Sequence, residues 1–244
     1  MQDLSETFKK IVRSNVAAAL TEDVGTGDVT GMLIPEKLLG RAKIITREDG
    51  VLCGRAWAEE TFHTVSSKIT IKWHFQDGSK IKADDLLAEI SGPTRAILTA
   101  ERTALNFLQT LSGTASTCRD FVTIINNENV KLLDTRKTIP GLRAAQKYAV
   151  TCGGCQNHRM GLFDAFLIKE NHILASGSIK SAILAARELS SSIPIEVEVE
   201  NLDQLIEALE MNCESIMLDN FDIPSLRKAV ELAKTKETKL EASG

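Results

Sequence analysis

Cationic side chains cluster in one stretch of the chain, residues 131–172. Two apolar runs in this stretch, 131–134 and 164–168, each end directly before a charged group of residues. The cations do not alternate with acids at the i,i+4 spacing of a solvated helix face. The stretch therefore predicts a pocket for a highly charged anion, because clustered arginine and lysine side chains bind carboxylates and phosphates. The cationic side chains are those of Arg136, Lys137, His158, Arg159 and Lys169.

A strand carrying three glutamates, Glu196, Glu198 and Glu200, follows the cationic stretch. Its period of two places the glutamates on one face and the apolar residues on the other. A parallel strand that is covered on both faces is normally apolar throughout. The pattern therefore favours a strand that faces a polar interior opposite Lys169, where acids suit ribose hydroxyls or a hydrated Mg²⁺. The alternative is an exposed edge strand.

The chain carries one Cys-Gly-Gly-Cys sequence, at 152–155, ahead of His158. Two cysteines at this spacing can form a redox pair or half of a zinc site, but no second such pair follows. The two glycines favour instead a backbone that approaches a ligand closely. Dinucleotide-binding and P-loop functions are excluded, because neither glycine-rich motif is present.

The composition excludes several classes of protein. The 244 residues are 43% hydrophobic and 25% charged, which is ordinary for a globular protein. A formal net charge of −4 argues against nucleic acid as a partner, so the local cation cluster favours a small acidic ligand. No apolar run reaches the roughly 18 residues of a membrane span. Five cysteines without a signal peptide predict reduced thiols and a cytoplasmic location.

A mixed α/β unit is predicted for the first part of the chain. The predicted elements are helices at 5–20, 56–65 and 94–110 and strands at 41–46, 69–75 and 86–90. The last helix is expected to end where Ser112-Gly113-Thr114 interrupts its pattern, which divides the chain into domains 1–111 and 112–244. Arg102 lies beside the apolar stripe of that helix, where it either pairs with Glu101 or is presented across an interface.

The second part of the chain alternates apolar runs with amphipathic helices, which predicts a parallel sheet. The runs are 131–134, 164–168, 195–199, 215–218 and 238–240, and the helices are 142–150, 179–189, 202–209 and 223–233. In β/α barrels the functional residues lie at the carboxyl ends of the strands. The residues that this rule selects are Arg136, Lys137, Lys169, the three glutamates, Asp219, Ser243 and Gly244.

Several motifs are similar to those of one enzyme family. They are EDVGTGDVT at 22–30, TAERTALNFLQTLSGTA at 99–115, DTRKTIPGLR at 134–143, KYAV at 147–150, NHRMGLFDAFLIKENHI at 157–173, EVEVEN at 196–201 and IMLDN at 216–220. On these residues the chain resembles the quinolinate phosphoribosyltransferases, the carboxylating nicotinate-nucleotide pyrophosphorylases, from residue 20 to its end.

The resemblance implies an N-terminal α/β sandwich-like domain followed by an open, incomplete β/α barrel, in a homodimer that sometimes assembles further. It implies transfer of a phosphoribosyl group from phosphoribosyl pyrophosphate to quinolinate with decarboxylation, which gives nicotinate mononucleotide for NAD biosynthesis. Arg102 is then expected to reach the neighbouring subunit's site. The expected quinolinate-binding residues are Arg102, Arg136, His158, Arg159 and Lys169.

The family pattern also implies the residues that act on the second substrate. Lys137 is expected to lie toward the phosphates, and Ser243 with Gly244 in a phosphate-binding loop. Glu198 and Asp219 are expected to face the ribose hydroxyls and Mg²⁺. The catalytic residues implied by the resemblance are Lys169, Glu198 and Asp219.

Two features depart from the family pattern. Cys155 stands where the family has a third glycine, and the chain stops at Gly244 inside the phosphate-binding loop, which implies a truncated C-terminus. Two alternatives stay open. One is a truncated homologue of weak or no activity that binds anions and dimerises, and the other is a related phosphoribosyltransferase that acts on a monocarboxylate and needs fewer cations around its base.

Overall fold

The computed structural model describes residues 5–244, which form two compact units. The first unit ends at His158 and the second runs from Arg159 to Gly244. The helices of the first unit are α1 (Glu6–Val24), α2 (Arg55–Val65), α3 (Thr94–Ile125) and α4 (Arg143–Gly153). Its strands are β1 (Leu39–Ile45), β2 (Gly50–Val51), β3 (Thr70–Trp73), β4 (Lys80–Ile81) and β5 (Leu86–Pro93).

The first unit contains an antiparallel sheet with strand order β1-β5-β3. Ile90 on the central strand lies opposite Ala42 on one side and Ile71 on the other. These side chains point to one face, because residues directly opposite one another on neighbouring strands lie on the same side of a sheet. There they pack with Phe62 of α2 and Leu108 of α3 in one apolar cluster. The strands predicted in this part of the chain are therefore confirmed.

Helix α3 is longer than predicted. The expected end at residue 110 is wrong, because the helix continues to Ile125. Ser112 does not interrupt the helix. Its hydroxyl binds the backbone of Cys53, where it accepts the Cys53 N–H (2.9 Å) and donates to the Cys53 carbonyl (3.1 Å). The domain division at residue 112 stays a prediction. Although α3 has 32 residues, neither it nor any other helix of residues 5–244 is apolar enough over a sufficient length to cross a membrane.

The first predicted strand of the second part, residues 131–134, is not a strand. It makes one isolated parallel bridge, between Leu133 and Gln156. The backbone of Gln156 donates to Leu132 (2.8 Å) and accepts from Asp134 (3.1 Å). The segment therefore forms a single bridge rather than a strand ladder.

The second unit is a parallel sheet whose strands alternate with helices. The strands are β6 (Phe166–Ile168), β7 (Ile195–Val199), β8 (Ser215–Asp219) and β9 (Lys239–Ser243), in that spatial order. The helices are α5 (Glu170–Ser176), α6 (Ile179–Leu189), α7 (Leu202–Glu210) and α8 (Ile223–Ala233). This is the predicted β/α arrangement of an open barrel. The alternative that β7 is an exposed edge strand is wrong, because β7 pairs with β6 on one side and β8 on the other.

Candidate active site

The carboxyl ends of the four parallel strands carry polar and charged residues. Lys169 follows β6, and Asp219 and Ser243 are the last residues of β8 and β9, directly opposite one another. Glu198 lies near the end of β7, one residue after Val197, which pairs with Ile168 of β6. Parallel strands bring these ends to one edge of the sheet. The structure therefore gathers four of the predicted site residues of the second unit at one edge.

Lys169 and Glu198 form an ion pair at this edge. The Lys169 Nζ donates to Glu198 Oε2, and the side chains are 44% and 14% exposed, respectively. Lys169 is also the N-cap residue of α5, and its backbone N–H donates to His172 Nδ1 in the first turn of that helix (3.0 Å). The ammonium group is thus held by one carboxylate and still reaches solvent, so it can also bind an anionic ligand.

The glutamates of β7 differ strongly in exposure. Glu196 is 6% exposed, Glu198 is half-buried and Glu200 is exposed. The apolar residues between them, Val197 and Val199, are fully buried in the core of the second unit. The strand thus has one apolar and one acidic face, as its period of two predicts.

Asn220 joins the ends of β8 and β9. Its backbone N–H donates to the Ser243 carbonyl (2.8 Å) and its amide nitrogen donates to Asp219 Oδ2 (2.9 Å). Its φ of 54° is in the left-handed region, which asparagine tolerates better than most residues. A Cβ on Gly244 would lie 3.0 Å from Asn220 Oδ1, so the two residues are in close contact. We did not predict Asn220, although an asparagine directly after a strand is a recognisable signal for such a turn.

Arg159 lies in a tight turn at the start of the second unit. Its Nη1 donates to the Ala165 carbonyl (3.4 Å). Asp164 accepts backbone N–H groups from Met160 (2.6 Å) and Gly161 (3.0 Å). Burial opposes ionisation of Asp164, but these N–H groups outweigh it and hold the pKa of the carboxyl below its usual value. The carboxylate therefore fixes the turn that carries the arginine.

A buried ion pair lies in the first unit, beside His158. The side chains of Lys147 and Asp134 are 1% and 9% exposed, and the lysine Nζ donates to Asp134 Oδ1 and to the carbonyl of His158 (3.0 Å). The N–H of His158 donates to the same Asp134 oxygen (2.8 Å). With its amide nitrogen turned toward them, Asn157 donates to Asp134 Oδ2 (2.7 Å) and to the Lys147 carbonyl (2.9 Å). We predicted only His158 of this network.

Arg136 and Lys137 follow Asp134 in a hydrogen-bonded turn. The Lys137 N–H donates to Thr135 Oγ1 (3.0 Å), and the Thr138 N–H donates to the Arg136 carbonyl (3.0 Å). The Nε of Arg136 is buried and has no hydrogen-bond partner within residues 5–244. Buried donors are normally satisfied, so this guanidinium is suited to an anionic ligand.

Arg102 lies on the exposed side of α3. Its neighbours Thr103 and Ala104 are buried, whereas the arginine is exposed. Within the described residues it forms no ion pair with Glu101, so the structure does not support that predicted pairing. The guanidinium group of Arg102 is therefore exposed and available to bind another molecule.

The Cys-Gly-Gly-Cys segment packs against α3 rather than forming a cysteine pair. Cys155 Sγ approaches the carbonyl of Cys118 (3.6 Å), while Cys152 interacts with the thiol of Cys53, whose hydrogen bond lowers the pKa of Cys152. All five cysteines are free, and no group of three metal-binding side chains in residues 5–244 includes a cysteine. The zinc alternative therefore has no support in the part of the chain that the structure describes.

The two glycines of this segment serve helix packing. Gly154 has a φ of 98° and ends α4 in the left-handed conformation. A Cβ on Gly153 would lie 2.4 Å from Cys118 Cβ and 2.5 Å from the Ala115 carbonyl oxygen of α3. The predicted close approach is thus real at Gly153, but the approaching group is a helix of the same unit.

Replacement of Gly153 by alanine is expected to lower the free energy of unfolding by about 1–3 kcal/mol, because α3 and α4 must separate. Urea unfolding measures this change. The matched control is Gly113→Ala in α3, where no atom lies within 4 Å of the new Cβ. There the same substitution should stabilise the helix by about 0.5–1 kcal/mol. Equal stability of the two variants would show that α3 and α4 are not in close contact at Gly153.

Both halves of the chain match family models. Residues 26–112 match the quinolinate phosphoribosyl transferase N-terminal domain and residues 114–244 match the C-terminal domain. A probable nicotinate-nucleotide pyrophosphorylase [carboxylating] of Bacillus subtilis is 40% identical over 224 residues, which are 91% of this chain and 77% of the relative. The Mycobacterium leprae nicotinate-nucleotide pyrophosphorylase [carboxylating] is 37% identical, over 93% of this chain and 82% of the relative.

Solved structures agree with these matches. The nicotinate-nucleotide pyrophosphorylase of Francisella tularensis superposes with a TM-score of 0.92 and 46% identity, over 96% of this chain and 84% of that one. NadC of Streptococcus pyogenes superposes with a TM-score of 0.94 and 37% identity, over 100% of this chain and 86% of that one. The fold is therefore shared over nearly all of the chain.

Proposed function

The chain belongs to the quinolinate phosphoribosyltransferase family, and we propose that its own residues carry out the family's reaction as follows. The activity is that of a pentosyltransferase of pyridine nucleotide biosynthesis. Quinolinate and phosphoribosyl pyrophosphate react to give nicotinate mononucleotide, pyrophosphate and CO₂. The observation that carries the proposal is the row of Lys169, Glu198, Asp219 and Ser243 at one edge of the parallel sheet.

Quinolinate is a dianion, and the cationic side chains bind its two carboxylates. The buried, unpaired Nε of Arg136 and the solvent-exposed ammonium of Lys169 support this role. Charge-assisted hydrogen bonds of this kind are about twice as strong as neutral ones. Arg102, exposed on α3, supplies a further guanidinium to the site of a second subunit in a homodimer. The complete set is Arg102, Arg136, His158, Arg159 and Lys169.

The acids at the sheet edge bind the phosphoribosyl substrate. Glu198 and Asp219 offer carboxylate oxygens, which suit ribose hydroxyls and the Mg²⁺ that accompanies a pyrophosphate. When bound, Mg²⁺ neutralises charge on the leaving pyrophosphate. Ser243 and Gly244 contribute to phosphate binding beside Asn220, and Lys137 lies toward the phosphates. Because Glu198 already pairs with Lys169, the two substrates bind next to one another through this ion pair.

The chemistry requires no covalent nucleophile. Orientation of the ring nitrogen toward the ribose and electrostatic stabilisation of the leaving group are sufficient. Loss of CO₂ from C2 leaves its electron pair on the ring carbon beside the cationic nitrogen. The nearby lysine and arginine side chains stabilise this carbanion until C2 takes up a proton from water, which gives nicotinate mononucleotide. The five free cysteines are consistent with action in a reducing compartment such as the cytoplasm.

We expect purified protein to form nicotinate mononucleotide from quinolinate, phosphoribosyl pyrophosphate and Mg²⁺, as measured by absorbance. Nicotinate in place of quinolinate should react poorly, because several cations would then lack a carboxylate. EDTA should abolish turnover, because the proposed site binds the pyrophosphate together with Mg²⁺. Faster turnover of nicotinate would favour the monocarboxylate alternative. Binding of quinolinate without any turnover would favour a protein that binds anions and dimerises but does not catalyse.

A further inference from the structure

The buried pair of Lys147 and Asp134 lies too deep to touch a ligand. The Lys147 side chain is 1% exposed, and its Nζ donates to Asp134 Oδ1 and to the carbonyl of His158 (3.0 Å). A buried ammonium group is costly unless it is paired and hydrogen-bonded. Replacing such a pair by apolar or neutral groups often leaves stability unchanged or improves it. Stability alone therefore does not explain a buried lysine at this place.

The pair joins two segments that are distant along the chain. Asp134 accepts the N–H of His158 (2.8 Å), and Lys147 donates to the carbonyl of the same residue (3.0 Å). Both polar groups of the His158 backbone are thus held by the pair. Arg136 follows Asp134 by two residues, so a shift of Asp134 would reach the arginine through a short stretch of backbone.

Two backbone hydrogen bonds also join these segments, from the Gln156 N–H to the Leu132 carbonyl (2.8 Å) and from the Asp134 N–H to the Gln156 carbonyl (3.1 Å). Residues 131–134 and Gln156 share one isolated bridge rather than a strand ladder. Next to it, Asn157 makes its side-chain hydrogen bonds to Asp134 (2.7 Å) and Lys147 (2.9 Å). To this single bridge the pair adds the hydrogen bonds that tie Asp134, two residues before Arg136, to the backbone of His158.

We propose that Lys147 and Asp134 are positioning residues for quinolinate binding, which act by fixing the backbones of Arg136 and His158 at the spacing of the ligand's carboxylates. The inference rests on the proposed function, because it names quinolinate as the ligand. A misplacement of one ångström in a charged clamp costs affinity without unfolding the protein. The pair thus sets specificity for a dianion from within the core.

The test compares three proteins by calorimetric titration with quinolinate and by thermal unfolding. The first is the parent chain. The second is the double variant Lys147→Met/Asp134→Asn, which removes both charges at nearly constant shape and keeps an acceptor for the His158 N–H. The third is Phe62→Leu, a control that weakens a separate apolar cluster of the same unit.

We expect the double variant to fold and to bind quinolinate about 10- to 100-fold more weakly than the parent. Phe62→Leu should lower the melting temperature at least as much and change the dissociation constant less than about twofold, because distant sites act independently. The single variant Lys147→Met should bind at least as weakly as the double variant, since it also leaves a buried carboxylate unpaired.

Two results would overturn the inference alone. One is a folded double variant with the quinolinate affinity of the parent. The other is a double variant that does not fold, since the pair would then have a purely structural role. A parent chain that binds no quinolinate would instead overturn the proposed function, and the inference with it.

Discussion

Replacement of Lys169 by alanine is expected to weaken quinolinate binding by about 30- to 1000-fold, or ~2–4 kcal/mol, while the chain stays folded. The lysine donates to Glu198 at the edge of the sheet and is 44% exposed. Its removal takes away a cation that binds the ligand and leaves the Glu198 carboxylate facing the ligand's carboxylates. Both effects oppose binding of a dianion, whereas an ion pair this exposed contributes little to folding.

Calorimetric titration and thermal unfolding of the same samples measure both parts of this prediction. Lys234→Ala is the matched control, because it removes one positive charge of the same unit from an exposed pair with Glu231. It should leave the affinity unchanged. In the double variant Lys169→Ala/Glu198→Gln, part of the lost affinity should return, since the repulsive carboxylate is gone. Full affinity in Lys169→Ala would contradict the assignment of quinolinate as the ligand.

The β/α units could be predicted because their signals are local. Helices α6 and α8 begin and end at the predicted residues. Ser178, Asn201 and Asp222 each cap a helix by accepting an N–H from three residues further on. Strand β8, for example, is a short apolar run between the two helices that Asn201 and Asp222 cap. A period of two then identified the acidic face of β7, and the strand-end rule brought Lys169 and Glu198 to the same edge.

The errors concern segments whose structure depends on distant partners. Ser112 was expected to end α3, but its hydroxyl binds Cys53, which lies 59 residues earlier in the chain. Residues 131–134 have the composition of a strand but meet only a short neighbour at Gln156. Such partners have no signature in the local pattern, so propensity alone gave the wrong boundary and the wrong element.

The buried network of the candidate site was missed for a related reason. A lysine in an amphipathic helix normally faces solvent, and nothing near Lys147 in the sequence indicates its acceptors. They are the side chain of Asp134 and the carbonyl of His158, which only the folded first unit brings together. Residue type and spacing thus indicated the groups that reach the surface, whereas the groups that position them required the structure.

Mixing two inactive variants, Arg102→Ala and Lys169→Ala, is expected to restore about one quarter of the parent activity, because the subunits of the proposed symmetric dimer would exchange at random. Half of the dimers are then mixed. Each mixed dimer has one site with both lesions and one with neither, provided that Arg102 acts in the partner's site. The exposure of Arg102 on α3 and the lack of an ion pair with Glu101 in the described chain support that arrangement.

The measurement is turnover of quinolinate after subunit exchange in mild denaturant. The matched control mixes Lys169→Ala with Asp219→Asn, two residues that the parallel sheet of a single subunit holds at one edge. Each subunit of a mixed dimer then carries one of the two substitutions in its own site, so no intact site forms and this mixture should stay inactive. Recovery in the control would mean that Lys169 and Asp219 serve different sites. A mixture of Arg102→Ala and Lys169→Ala that stays inactive would place Arg102 in the site of its own subunit or outside the site altogether, because only action across the interface gives an intact site.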